Sequence, residues 1–304
     1  MAGMTKTKRR ARRAYRKERL VLLAFTVPAL ALYISFFIIP ALQSLQYSLT
    51  NWNGYSATFD WVGLDNFTRA LTNDSLFTNA VTNNLKFWLI VLAFQTLFAL
   101  MLAVFLFRNF KGSALLRGLF FFPTILSSVS VAYIWKFIYD PNYGLGNDIL
   151  GIFGISSSFL GNDDTAIYWI AITQVWFHAG QMMTIFIAGL QSVPQEMIEA
   201  AAVDGAGRWQ VFKNVTWPMI APATSIVMAY TTIQSFKAFD LILGLAGNPP
   251  KSSMDIMSTR IYTTFANSQY GYASAQAILF VIVIVALNFA VRRIVGLTQP
   301  KTES

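Results

Sequence analysis

The chain of 304 residues contains no cysteine and a single histidine, His178. That excludes disulfides, thiolate metal sites and cysteine nucleophiles, and it leaves carboxylates as almost the whole supply of metal ligands. Charge is scarce as well: Asp, Glu, Lys and Arg make up 12% of the residues, 14 acidic against 23 basic. An ordinary soluble domain carries about 25% charged residues, so most of this chain must face something other than water. What stands in place of charge is apolar and aromatic, 55% and 15% of the sequence, for a mean hydropathy of +0.49. Lipid is the solvent that fits such a composition.

The net charge of +9 is unevenly placed, because nine of the 23 Lys and Arg residues precede Leu20, in KTKRRARRAYRKER at 6–19. A basic tail ahead of an apolar run is an orientation signal, since Lys and Arg resist translocation and favour anionic headgroups. Nucleic acid is not its target, for the tail has no base-stacking or groove-reading element. The run from Leu20 to Ile39 is longer than the ~7–15 residues of a signal-peptide core, and no small-x-small site ends it, so it reads as a retained anchor.

Six stretches are long and apolar enough to cross a ~30 Å hydrocarbon core as helices, in which every backbone polar group is satisfied internally. They run approximately Leu20 to Ile39, Phe87 to Phe107, Gly118 to Tyr139, Ala166 to Leu190, Met219 to Phe236 (extending towards Leu243), and Ala273 to Val291. The expected fold is an all-α integral membrane protein of six transmembrane helices: a basic tail at 1–19, a membrane domain over 20–295 and a short tail at 296–304. With the basic tail in the cytoplasm, the segments 108–117, 191–217 and that from Arg292 lie there too. They carry Arg108, Lys111, Arg117, Arg208, Lys213, Arg292, Arg293 and Lys301, which makes 17 basic residues inside. Only Arg69, Lys86, Lys136, Lys237, Lys251 and Arg260 fall on the other side, so both termini are expected in the cytoplasm.

The span interiors hold almost no ionisable side chain, Lys136, Lys237 and Asp240 lying near the outer ends and His178 alone being central. An ion-coupled secondary carrier needs embedded carboxylates or histidines for its driving ion, and a membrane enzyme needs a catalytic cluster. Neither pattern is present, so the energy for any transport enters from elsewhere. Pro28, Pro123 and Pro222 predict kinks, and Gly180 and Gly189 predict close helix approach. Gln174, His178 and Gln181 recur at helical spacing on the fourth stretch, with Gln234 in the fifth. They offer the neutral donors and acceptors that a hydroxyl-rich ligand requires. Interhelical hydrogen bonding accounts for each of them singly, and for His178 packing is the better fit.

The most informative segment is polar, QSVPQEMIEAAAVDGAGRWQVFKNVTWP at 191–218. Ser192 and Gln195 have capping-box spacing, Pro194 fits a first turn, and Glu196 and Glu199 suit the positive end of the helix dipole. Gly205 and Gly207 end that helix. A second is expected over Arg208 to Thr216, with Trp209, Phe212 and Val215 on one side, before Pro218 opens the next span. Ala200, Ala201 and Ala202 leave one flank bare for close approach, and Glu199 and Asp204 supply charge for a basic partner.

With Glu199, Ala200, Ala201, Gly205, Val215 and Pro218 at that spacing, the segment resembles the EAA coupling loop of permeases in binding-protein-dependent ABC importers. The similarity covers all but the tails and is greatest to the sugar-transporting branch, through VGLDNF at 62–67, TNNLKF at 82–87, LRGLFFFPTILSSVSVAYIWKFIYDPNYGLGN at 116–147 and YGYASAQAILF at 270–280. Departures are local: GNPP at 247–250 stands where Gly-Gly-Pro is usual, Trp217 where leucine is, and FLGNDD at 159–164 lacks a frequent tryptophan.

The resemblance implies a type I importer core in a bacterial or archaeal inner membrane. The partners it implies are a second homologous permease, two ATPase subunits and an extracytoplasmic solute-binding protein, with sugar as cargo. Glu199, Ala200, Ala201, Asp204, Gly205, Arg208, Val215 and Pro218 would couple to the ATPase. That partner would bind ATP and Mg and carry out all the chemistry, and this chain would bind no cofactor. Glycerol phosphate or a polyamine remains open as cargo, because the loop is shared across many importers.

Overall fold

The computed structural model describes residues 2–108 and 110–296. Apart from Gly296, the tail expected at 296–304 lies outside the described residues. All regular structure among the described residues is helical, with one isolated bridge between Thr50 and Trp61.

Helix α1 (Ala2–Tyr33) includes the basic stretch and continues through a π-turn (Ile34–Ile38) into α2 (Ile39–Tyr47). The Ile39 N–H reaches back to the Ile34 carbonyl, just before Pro40 withdraws a donor from the ladder. The first span is therefore longer than the expected Leu20 to Ile39, running Val21–Tyr47, and its apolar window buries nothing against the rest of the chain.

The second span, α3 (Ser75–Leu106), starts well before the expected Phe87. Asp74 caps it by accepting the Phe77 N–H at 2.9 Å. Asn79, Asn83 and Asn84 interrupt the apolar run and hid those turns from a hydropathy reading, yet Asn83 and Asn84 are buried.

The third expected span, Gly118 to Tyr139, is two helices rather than one. Helix α4 (Ser113–Phe121) passes through a 3-10 turn (Phe122–Ile125) to α5 (Ser128–Ile138), bent by 102° from the first leg. Pro123 occupies the turn, Leu126 and Ser127 are extended, and the Ser127 hydroxyl accepts the Ser130 N–H at 3.1 Å to restart the helix.

Helix α6 (Ala166–Gln191) matches expectation, and α7 (Gln195–Val203) follows it outside the apolar spans. The fifth span is the pair α8 (Ala221–Phe236) and α9 (Phe239–Ala246), bent by 46° at Lys237 and Ala238. Helices α10 (Met257–Ala266) and α11 (Tyr270–Gly296) complete the described chain. Among the described residues four helices cross uninterrupted, and there are six spans when each bent pair counts as one.

Helix α3 packs along α6, and α8 packs against α3, α6 and α11. Phe87, Val91, Ile170 and Phe177 fill one end of the bundle and Leu106, Met182, Phe186 and Ile220 the other. Small residues set the spacing, as expected. A Cβ on Gly180 would overlap the Phe120 backbone, and one on Gly189 would overlap Ala223.

Candidate functional site

The polar loop after α6 is built by local rules. Helix α7 begins after Pro194 without a side-chain cap, so the capping box expected of Ser192 and Gln195 does not form. The Ser192 hydroxyl instead donates to the Gly189 carbonyl at 2.7 Å and finishes α6, while the Gln195 amide donates to Glu199 at 3.1 Å, one turn on. Gly205 ends α7 at φ +82°, where a side chain is strained. The Gly207 N–H donates to the Gln210 side chain at 2.8 Å and starts the next turn, Arg208–Val211. A π-turn (Phe212–Thr216) and a short turn holding Pro218 lead straight into α8.

The residues expected to couple are thereby gathered on one exposed knuckle. Glu199, Ala200, Asp204, Gly205 and Arg208 face solvent, and Ala201, Val215 and Pro218 are half-buried at its base. Val203 is 87% exposed and Trp209, stacked on Phe212, is 71% exposed. Among the described residues no side-chain hydrogen bond or ion pair ties 195–215 to the rest of the molecule. An exposed apolar and charged knuckle, anchored by Ile198 on the core and otherwise bonded locally, has the form of a protein contact.

Between α6 and α8 an open cleft of about 230 Å³ lies at the surface of the bundle, with Tyr230, Ile233, Lys237 and Asp240 of its lining exposed. Gln174, His178 and Gln234 line it together with Ser128, Tyr230 and Lys237. Gln174 is only 2% exposed, and its amide has no side-chain hydrogen bond among the described residues, so it presents an unsatisfied donor and acceptor to the cavity. His178 lies against Phe177, its Nδ1 3.4 Å from the Gln174 carbonyl.

Gln181 is one turn further along, as the middle of a relay: Gln234 donates to it at 3.1 Å, and it donates to the Tyr230 hydroxyl at 3.3 Å. Behind this relay Gln95 of α3 donates to Thr231 at 3.0 Å. Asp240 also reaches the lining, opposite in charge to Lys237. The amides and hydroxyls of the lining, beside the aromatic rings of Phe177 and Tyr230, offer the donors and acceptors that a polyhydroxylated solute takes up.

Residues 95–304 match the family model of the binding-protein-dependent transport system inner membrane component. The chain belongs to this family. It is 34% identical to the multiple sugar-binding transport system permease protein MsmF of Streptococcus mutans, over 86% of this chain and 90% of the relative. It is 31% identical to the diacetylchitobiose uptake system permease protein NgcF of Streptomyces coelicolor, over 90% of this chain and 82% of the relative. A chain from the crystal structure of a bacterial ABC transporter involved in the import of the acidic polysaccharide alginate shares the fold. It superposes with a TM-score of 0.79 over 92% of this chain and 96% of that one, at 22% identity.

This permease is thus a multi-pass inner-membrane subunit of a transport system. Tyr230 and Gln95 were not singled out in its sequence. Tyr230 stands one helical turn before Gln234 and could have been found by that spacing. Gln95 carries no such signal, since its partner Thr231 comes from a distant span.

Proposed function

We propose that this permease forms half of the translocation pathway for a sugar, mono- or oligosaccharide, and works by alternating access in an ATP-driven importer. Connectivity supports the reading. The knuckle is the direct link between α6 and α8, the two helices whose facing sides carry Gln174, Gln181, Tyr230 and Gln234. From Gln181 to Gln191 is about 15 Å of uninterrupted helix at 1.5 Å per residue, so a push on the loop moves the cavity walls through rigid elements. In this reading the loop is cytoplasmic, both termini are inside, and paired ATPase subunits that hold ATP and Mg receive Glu199 to Arg208. A second permease covers the bare first span, and an extracytoplasmic binding protein delivers the sugar. The differential affinity of those partners for the two states drives the cycle.

The test is reconstitution with the co-encoded ATPase, second permease and binding protein in vesicles loaded with ATP. Accumulation of a labelled sugar that requires ATP and the binding protein is the expected result. Accumulation by this chain alone, driven by an ion gradient, would contradict it. Lys237 on the lining favours a phosphorylated cargo such as glycerol phosphate, but Asp240 beside it offsets the charge; competition between sugar and glycerol phosphate in the same vesicles separates the two.

A further inference from the structure

A second cavity lies outside the bundle, in the angle between the last turns of α3 and the knuckle. It is a groove of about 1470 Å³. One wall is the outer face of α3, with Met101, Val104 and Phe105; the other is Ile198 and Ala202 of α7, with Trp209 beyond. Such a groove touches both a membrane helix and the coupling loop, so whatever fills it contacts each at once.

Its charge is selective. Arg108 and Arg208 are the charged side chains of the lining, and neither guanidinium has a hydrogen bond or ion pair among the described residues. Arg117, close by in sequence, is already used: it donates to the Leu106 and Phe107 carbonyls at the end of α3. The loop's own acids, Glu196, Glu199 and Asp204, are absent from the lining. Free guanidinium groups at the end of an apolar channel, where a span leaves the membrane, match a ligand with an anionic head and long apolar tails. The exposed indole of Trp209 suits the headgroup boundary of the same ligand.

We propose that this groove is a binding site for an anionic phospholipid of the cytoplasmic leaflet, its acyl chains against Met101 and Val104 and its phosphate held by Arg108, with Arg208 adding positive charge at the rim where the loop meets the ATPase. The leaflet rests on the orientation proposed above; the site itself does not depend on what is transported. Bound there, the lipid wedges the coupling loop against α3, so the anionic content of the membrane biases the position of the loop.

The intact transporter, purified in mild detergent, is exposed to mixed phosphatidylglycerol and phosphatidylcholine and examined by native mass spectrometry for retained lipid. Wild type should retain phosphatidylglycerol in preference. Arg108→Gln should lower that retention roughly tenfold, the loss of one charge-assisted contact, and Val104→Trp, whose ring obstructs the acyl-chain wall, should lower it as well with the complex still assembled. Equal retention of both lipids, or unchanged preference in both variants, would overturn the proposal. So would a photo-crosslinker at Val104 that captures the second permease or the ATPase. Retention is measured without transport, so a failure here leaves the sugar-uptake test standing, and the reverse.

Discussion

The two ends of the bundle are held in opposite ways. At the knuckle, among the described residues, no side chain of 195–215 makes a hydrogen bond or ion pair outside the segment, and its charged side chains are exposed. At the other end, the segment after α9 is sewn to the start of α3. Asn79 and Asn83 donate to the Ser252 carbonyl at 2.6 and 2.9 Å, and Asn83 donates also to the Asp255 carbonyl at 3.0 Å. Asn84 accepts the Met257 N–H, Thr259 donates to Asp255 at 2.6 Å, and Arg260 pairs with the same carboxylate. Asp255 is 1% exposed; burial raises its carboxyl above the ordinary value, while the bond from Thr259 and the charge of Arg260 pull the other way. The chain supplies its own polar partners at one end and leaves the side chains of the other exposed, a contrast that fits the proposed cycle of a driven loop working against a rigid frame.

Variants can break this contrast. Asp255→Ala strands the largely buried Arg260 and should cost about 3 kcal/mol of stability, read as a lowered unfolding temperature of the detergent-solubilised permease. An unchanged temperature would mean the junction is not the frame. Gly205→Asp should leave assembly into the membrane intact and cost about 1–2 kcal/mol of stability for a side chain at φ +82°, while cutting ATP-driven uptake about 5–150-fold, the span of typical coupling energies; normal uptake would remove the loop from the mechanism. Asn83→Ala should cost about 1–2 kcal/mol and speed hydrogen exchange at 251–257 without touching the knuckle. Gln181→Ala should cost only about 0.6 kcal/mol of stability, the usual worth of an interhelical hydrogen bond in a membrane, yet should lower uptake with assembly unchanged. A silent Gln181→Ala would make the relay plain packing.

The same contrast explains what could be read without a structure. Composition and hydropathy suffice for the class, and the spacing of Glu199, Ala200, Gly205 and Pro218 suffices for the family, because an exposed loop obeys local turn chemistry. Long-range pairing is where reading stopped. Asn83 and Asn84 looked like the end of a span because their partners lie some 170 positions away in sequence, and hydropathy cannot register a buried amide that is satisfied at a distance. The 102° bend after Pro123 was foreseen as a kink but not as a break between helices, since its size depends on Leu126 and Ser127 being extended. The expected cap at Ser192 fails because Pro194 is not in the first turn but is itself the extended residue before α7, which leaves the Ser192 hydroxyl to finish α6. Each cavity side chain is legible singly, and Tyr230 by its spacing from Gln234; that Gln95 and Thr231 complete the set follows only from how α3 and α8 cross.

The central claim is that the knuckle moves the cavity through α6 and α8. The absence of native cysteine makes an introduced one the single thiol on this chain, read out by mass spectrometry of the permease band. Tyr230→Cys, in the reconstituted transporter with its binding protein, would be titrated with a membrane-impermeant thiol reagent with and without ATP, in the otherwise native loop and again with Gly205→Asp. The account predicts that ATP changes the labelling rate when Gly205 is native and leaves it unchanged when Gly205→Asp is present. Labelling that ignores ATP in both, or responds equally in both, would contradict it.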